Sequence, residues 1–377
     1  MLEGNINLSL MIGPLVPIPA PRVVVEALRE ITVTTSDEGR SGFQLTFGID
    51  TQSPLQTLFL LAGGSPMPVL RVIIIVTLKG TPHVIMDGSV TNTQIMPGTK
   101  ASQATLTVTG EDISVLMDKQ DWSGFPFPAM PAEARVALLL AKYALFGVVP
   151  LVVPSVLVDV PLPTTKIESQ KGTDLAYIKQ LAERVGYVFY IEPGPLPGMN
   201  IGYWGPQIKV GVPQPALNIN MDGFSNVDSL SFKFDNNQNA IPTLFYYNEI
   251  TKVSIPIPLP PITPLSPPLG LIPPIPTQLK PVSDDLSKRS LPQGIMIGLA
   301  KAAKWAEAVT GDGSLDVVRY GRLLKARQLV GVRGAGLAYD GLHYVKSVTH
   351  TIKRGEYKQN FTLSRNGLVS TLPRVPA

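Results

Sequence analysis

Residues 42–49 read GFQLTFGI, and within them Phe43, Leu45, Phe47 and Ile49 alternate with Gln44, Thr46 and Gly48. A period of two sends one set of side chains into a core and the other outward, which predicts a half-buried β-strand. The preceding Asp37-Glu38-Gly39-Arg40-Ser41-Gly42 carries turn residues and predicts the bend that feeds it. Leu70 to Leu78, His83 to Met86 and Ala104 to Thr109 are rich in β-branched residues and bounded by Gly or Pro. Strand therefore follows strand from Asn5 to Thr109. Such strands need closure or cover to hide their edges, so an antiparallel barrel or sandwich is expected. The far end repeats the signal: Tyr357, Gln359, Phe361 and Leu363 alternate with Glu356, Lys358, Asn360 and Thr362, after a turn at Lys353-Arg354-Gly355 and a run from Leu342 to Ile352. A closing hairpin is predicted there.

Between these ends the period changes. Val136, Leu139, Leu140 and Tyr143 are spaced to line one helix face. A second stripe is Leu175, Ile178, Leu181, Ala182 and Val185, with Thr173 placed to cap its start and Gly186 to end it in a left-handed turn. Tyr187 to Ile191 then returns as a strand. Residues 111–211 thus read as a small α+β insert. From Ala216 strands resume through Leu217 to Met221, Leu230 to Phe234 and Leu244 to Ile250, and Ile295 to Val309 reads as a further helix with Trp305 as a packing residue.

The segment IPIPLPPITPLSPPLGLIPPIPTQLKP, residues 255–281, interrupts that second β-region. Proline has no N–H to give to a ladder, so an extended, polyproline-like loop rather than a strand is expected. Linkers in solvent are polar, whereas Ile255, Ile257, Leu259, Ile262, Leu265, Leu269, Leu271, Ile272 and Ile275 fill this one. It is expected to lie along a protein surface, either that of its own subunit or that of a neighbouring chain.

At 377 residues the chain is long enough for two or three domains. A net charge of +4 is small for this length and argues against a field that steers the protein onto nucleic acid. The count Cys 0 excludes disulfides, thiol nucleophiles and thiolate metal sites, and fits assembly in a reducing cytoplasm. The N-terminus MLEGNINLSLMIGPLVP lacks the pattern of a secretory signal and reads as an entering strand. The most lipid-like stretch, Val136 to Val158, is interrupted by Lys142, Pro150, Pro154 and Ser155, against the roughly 20 apolar residues that a spanning helix needs. No membrane span is expected.

Chemistry finds no anchor. His83, His343 and His350 are the only histidines, and the last two fall on opposite faces of a regular strand. Without metal-ligand spacing they read as packing or surface residues. No nucleophile elbow occurs, and Gly311-Asp312-Gly313-Ser314 reads as a turn. Gly331-Val332-Arg333-Gly334-Ala335-Gly336 lacks the ending of a phosphate loop and reads as a tight bend. Acidic neighbours such as Asp284-Asp285 and Glu111-Asp112 read as caps or solvated charge. Hence no catalytic, cofactor-binding or metal residue is assigned. Arg319, Arg322, Lys325, Arg327 and Arg333 form the one basic cluster. It reads either as a solvated face or as a charged subunit interface or channel lining.

Three strings carry a resemblance when taken together: ATLTVTGEDISVLMD from Ala104, TDLAYIKQLAERVGYVFYIEPGPLPGMNIGYWGP from Thr173, and RQLVGVRGAGLAYDGLHYVKSVTHTIKRGEYKQNFTLSRNGL from Arg327. In order and spacing the chain resembles the baseplate hubs of contractile phage tails, the phage late control D proteins and the hub portion of valine-glycine repeat spike proteins, most of all the hubs of extracellular contractile injection systems. The resemblance implies a mainly β fold with two tube-protein-like β-barrel domains, smaller inserted domains, and a trimeric ring. Two similar barrels per subunit then give six quasi-equivalent positions, which adapt a threefold spike to a hexameric tail tube protein. On this pattern residues 1–110 form the first tube-like domain and 111–211 the insert. Residues 212–253 are strands of the second barrel, 254–283 the Pro-rich segment, and 284–377 a helix plus closing strands. The oligonucleotide/oligosaccharide-fold domain and β-helical needle fused to many relatives are not found after Leu368, so a separate spike protein is expected, as are other baseplate components. No lysozyme-like insert is seen. A tail-tip protein that binds a ligand or surface is the competing reading, and it would call for loop aromatics, whereas Trp122, Trp204 and Trp305 sit in separate elements.

Overall fold

The structure is a computed structural model that describes residues 6–49, 55, 59, 69–98, 104–155, 167–235, 240–248, 252–259, 267–275, 278–282 and 291–372. The first stretch contributes β1 (Ile6–Gly13), β2 (Ile18–Pro19), α1 (Arg22–Ala27), β3 (Leu28–Ser36), β4 (Gly42–Ile49), β5 (Arg71–Leu78), β6 (Thr81–Met96) and β7 (Ala104–Asp112). Phe43, Leu45, Phe47 and Ile49 of β4 are all buried, as are Leu106 and Val108 of β7, while Gln44 is exposed. The alternation of the sequence is therefore spent on one sheet face.

The middle stretch contributes β8 (Pro126–Phe127), α2 (Ala132–Ala141), β9 (Val148–Val152), β10 (Glu168–Ser169), α3 (Asp174–Val185), β11 (Val188–Pro193) and β12 (Asn200–Gly205). It has a core of its own, built from Val136, Leu139, Leu140, Ile178, Leu181, Phe189 and Trp204. The Thr173 hydroxyl accepts from the Ala176 N–H to cap α3, and Gly186 stops the helix at φ +73°. A side chain at Gly186 would also strike Ala300, so the glycine lets the insert approach the long helix described next.

The last stretch contributes β13 (Gln214–Asn218), β14 (Ser229–Phe234), β15 (Ala240–Asn248), β16 (Val253–Pro258), β17 (Gly270–Ile272), β18 (Gln278–Pro281), α4 (Leu291–Trp305), β19 (Val309–Asp316), α5 (Val317–Tyr320), β20 (Leu329–Arg333), β21 (Gly341–Lys353), β22 (Glu356–Arg365) and β23 (Leu368–Ser370). The chain is mainly β. One 13-stranded sheet runs in the order β14-β19-β22-β21-β3-β4-β7-β6-β5-β1-β2, with β20 attached to β21 and β13 to β20. Its two ends share a single core that includes Ile31, Leu45, Leu106, Val348, Phe361 and Leu363. Among the described residues neither end closes into a barrel, so closed barrels are not what hides the edges.

Within this sheet one four-strand unit occurs twice. The first unit is β3-β4-β7-β6 and the second β14-β19-β22-β21, each antiparallel and each traced in the same chain order. In both, the fourth strand carries one extra residue, Thr91 in β6 and Lys346 in β21, where the register slips between Val90 and Asn92 and between Val345 and Ser347. In both, the part of that strand before the bulge turns to pair with an added strand, β5 or β20. The units differ outside this frame: β1 lies antiparallel to β5, whereas β13 lies parallel to β20.

Four sequence expectations are corrected. The Pro-rich segment contains ladders: β16 pairs antiparallel and β18 parallel with β15, and β17 pairs with β23. Pro256 and Pro258 alternate with Ile255 and Ile257 on an edge strand, and the Leu259 N–H reaches the Pro242 carbonyl, so the residues lacking N–H point away from the partner. Gly311-Asp312-Gly313-Ser314 lies inside β19, not in a turn, because a side chain at Gly311 would strike the ring of Phe232 and one at Gly313 that of Phe361. The long helix is Leu291–Trp305, shifted toward the N-terminus from its expected span. Finally, the bulge at Lys346 flips the alternation of β21, so that His343 and His350 share the core-facing side and both are buried.

Candidate functional site

Two features stand out, an outward sheet face and a buried charged seam. Cross-strand register aligns Asp316, Lys358, Thr351, Thr32, Gln44, Thr109 and Asn92 in one row that crosses both units. A neighbouring row runs Ser229, Ser314, Asn360, Thr349 and Thr34, and the Thr34 and Thr349 hydroxyls hydrogen-bond at 3.0 Å across the seam between units. Small hydroxyls and amides dominate this face, and a shallow concavity on it is lined by Ser229, Ser231, Asp312, Ser314, Thr349 and Thr362. Along these rows the side chains are polar and mostly short.

The buried charged seam holds the insert in place. Arg71 at the start of β5 forms a two-point ion pair with Asp87 of β6, with both N–O distances 2.7 Å. The same guanidinium donates to the Phe146 and Gly198 carbonyls at 2.9 Å, and the Asn200 amide donates to Asp87 at 3.1 Å. Both charges of this pair are buried, and besides these bonds to the insert the guanidinium donates to the Leu15 carbonyl at 3.3 Å. Near the C-terminal end of the insert, Lys209 and Glu307 pair at 2.5 Å, and Lys346, the bulge residue, reaches Glu307 at 3.4 Å. Burial raises the Glu307 carboxyl, but Lys209 and Lys346 outweigh it and hold the group below its ordinary value. Asp37 receives the Gln207 amide at 2.8 Å, and burial pushes its carboxyl up to about 6 against the opposing pull of Lys346.

The basic cluster read from the sequence does not stay together. Arg327 is 4 % exposed and sits inside the seam. Its guanidinium stacks 3.7 Å from the Tyr190 ring centre, donates to the Ser36 carbonyl at 2.7 Å and to the Ser41 hydroxyl at 3.1 Å, and pairs with Glu192 at 3.3 Å. One side chain thus ties β3, the turn after it, the insert and the second unit. For Arg327 the expectation of a solvated face or channel lining fails, because a left-handed backbone at φ +66° turns it inward. Arg319, Arg322 and Lys325 are exposed, with Arg319 paired to Asp228, and Arg333 is half-buried. Gly334 and Gly336 follow at φ +82° and +95°, a tight bend.

The apolar residues of the Pro-rich segment also divide. Leu259 is buried against α4 at Gly298, and Leu269 is buried with Leu329 and Tyr344. Ile257 is half-buried, while Ile255, Leu271, Ile272 and Ile275 are exposed. Ile262 and Leu265 lie outside the described residues. His343 and His350 are packing residues; burial carries His350 down to about 4, and its ring nitrogen meets the Tyr357 hydroxyl at 2.8 Å. Trp204 is fully buried, which removes it as a ligand platform. Among the described residues no group of His, Cys, Asp or Glu is placed to hold a metal, and no helix is long and apolar enough to cross a membrane. Apart from Arg327, the residues of the seam escaped sequence reading, although Asp87 in the apolar run VIMDGSV was a visible signal of a buried charge seeking a partner.

No protein-family model matches the chain, and no curated protein does. Solved structures do. The tail protein from Neisseria meningitidis MC58 superimposes with a TM-score of 0.63 at 14% identity, over 97% of this chain and 98% of that one. The chain has the fold of phage tail proteins. The 43 kDa tail protein of prophage MuSo2 from Shewanella oneidensis gives 0.62 at 13% identity, over 95% and 98% of the two chains. An E. coli component of the type VI secretion system, itself structurally similar to T4 bacteriophage tail proteins, gives 0.54 at 11% identity, over 93% and 76%. These likenesses run through sheet, insert and second unit alike.

Proposed function

We propose that this chain is the structural hub of a contractile tail or injection baseplate, assembled in the cytoplasm as a homotrimer. Three chains carrying two units each would present six positions to a hexameric tail tube protein, and would meet a separate spike protein and other baseplate components elsewhere. The observation that carries this reading is the repeated four-strand unit with its matched bulges. A whole-length likeness to phage tail proteins supports it. In this reading residues 1–110 form one tube-like module and 212–253 with 284–377 the other. Residues 111–211 are the insert between them and 254–283 an arm. The hydroxyl-rich sheet face would line the channel. The exposed Arg319, Arg322 and Lys325 and the exposed Ile255, Leu271, Ile272 and Ile275 are the proposed contacts for neighbouring chains. The mechanism is mechanical: a rigid ring passes the thrust of contraction from tube to tip.

Native mass measurement and co-purification with a hexamer-forming tube protein test the proposal. A trimer that binds the tube is expected. A chain that stays monomeric and joins neither tube nor spike would refute it.

A further inference from the structure

Inside the chain, the fourth strand of the second unit pairs with the first strand of the first: β21 lies antiparallel to β3, with Thr349 opposite Thr34 and His350 opposite Val33. The same two positions recur as open edges. Among the described residues nothing pairs with the outer edge of β14, nor with β6 on the side away from β7 after its bulge. Such edges are aggregation hazards unless a partner covers them.

Aligning the bulges converts this into a register. Asn92 corresponds to Ser347, since each follows its bulge and faces Thr109 or Thr362. Gln94 then corresponds to Thr349 and Ile95 to His350. On the other strand, Thr109 pairs with Gln44 and Gln44 with Thr32, while Thr362 pairs with Asp312 and Asp312 with Ser231, so Ser231 corresponds to Thr32, Phe232 to Val33 and Lys233 to Thr34. The faces agree as well: Gln94 and Lys233 are exposed, while Ile95 and Phe232 pack partly against the core at its two open ends.

We infer that β6 at Asn92–Met96 pairs antiparallel with β14 of a second copy of this chain, Gln94 opposite Lys233 and Ile95 opposite Phe232. The contact repeats between chains the junction that β21 and β3 make within one. It is heterologous and propagates in one direction, closing into a ring, and it extends the hydroxyl-rich face without a break. Ile95 and Phe232 become covered by each other. This rests on the ring reading above and adds its interface.

The natural absence of cysteine makes the test clean. The side chains of Thr34 and Thr349 touch at 3.0 Å, as expected of a closely spaced antiparallel pair that a disulfide can span. The double variant Gln94→Cys/Lys233→Cys, co-expressed with tube and spike proteins and oxidised, should give disulfide-linked oligomers ending at the trimer on a denaturing gel. Thr34→Cys/Thr349→Cys should link within one chain, and the out-of-register Gln94→Cys/Ser229→Cys should not link. Particles that weigh as trimers but fail to link at Gln94 and Lys233 overturn this pairing and leave the hub reading standing. A chain that remains monomeric beside its tube and spike proteins overturns both.

Discussion

The two four-strand units share a plan but fill it in opposite ways. In the first, Phe43 of β4 faces Gly110 of β7, and a side chain on that glycine would lie 2.3 Å from the ring. The corresponding pair in the second unit is Gly311 of β19 and Leu363 of β22, with the glycine on the other strand and the vacated space taken by Phe232. What persists between the units is backbone: strand order, bulge position and the turn toward an added strand. What changes is which partner supplies the volume. Cores tolerate such exchange when total volume is kept, whereas a lost bulge would move every later side chain to the wrong face.

The units also differ in what they carry, and that difference is where the largest effect is expected. The first unit holds the insert through the buried Arg71–Asp87 pair, which has no counterpart in the second, where Leu329 stands at the position of Arg71. Asp87→Ala leaves a buried guanidinium without its anion and should cost about 3–5 kcal/mol in denaturant unfolding. Replacing both partners together, Arg71→Met with Asp87→Leu, should recover much of that loss. A single variant within about 1 kcal/mol of the parent would mean that the insert is held by its apolar contacts alone.

The packing contrast is sharpened by glycine substitutions in each unit. Gly110→Ala places a carbon 2.5 Å from the Ser89 carbonyl besides the Phe43 ring, and Gly313→Ala places one 2.7 Å from the Ser229 carbonyl besides Phe361. Because backbone stands in the way, each should destabilise by about 1–3 kcal/mol. At Gly48→Ala the three nearest atoms all belong to the Arg29 side chain, which can swing aside, and its midpoint should hardly move. Equal losses at all three positions would show that strand glycine acts through backbone entropy rather than through these contacts.

These details mark how far the residues alone could be read. A strand with one apolar face is legible because its period is local, and α3 is legible because its cap and its terminating glycine are. The partner of β3 is not legible: Thr34 and Thr349 meet across 315 positions, and no local pattern specifies that pairing. The two glycines of β19 look like turn residues until the rings of Phe232 and Phe361 are placed over them. The bulge at Lys346 inverts the face of His343, a one-residue event invisible to a period of two. The basic cluster was visible as composition, but which of its members turned inward depended on the backbone at Arg327.

A proton titration reads both junctions of the insert. The Asp37 carboxyl holds its proton up to about pH 6 in the folded state but releases it near 3.8 when unfolded. The native state therefore binds the extra proton between those values, and stability from this group falls as pH rises through the window and is level above it. The span corresponds to roughly 2–3 kcal/mol. Asp37→Asn should flatten that slope in thermal unfolding and be the relatively more stable form at pH 7. Burial raises the Asp87 carboxyl as well, against the opposing pull of Arg71, so Asp87→Asn should change the slope in the same sense. A slope that Asp87→Asn leaves unchanged would mean that Arg71 cancels the effect of burial.

The smallest effects test the division within the basic cluster. Arg327→Lys keeps the charge but loses the planar fork that contacts Ser36, Ser41 and Glu192 while stacking on Tyr190, and about 2 kcal/mol should go with it. Arg319→Ala removes an exposed pair with Asp228, and solvent screening limits that to less than about 1 kcal/mol. The two arginines lie eight residues apart in one basic run, so charge alone predicts similar behaviour. Burial predicts that unfolding distinguishes them and that Arg319 is left free to matter only when a partner binds. An Arg319→Ala chain as destabilised as Arg327→Lys would place both in the interior seam and remove Arg319 from the outer surface altogether.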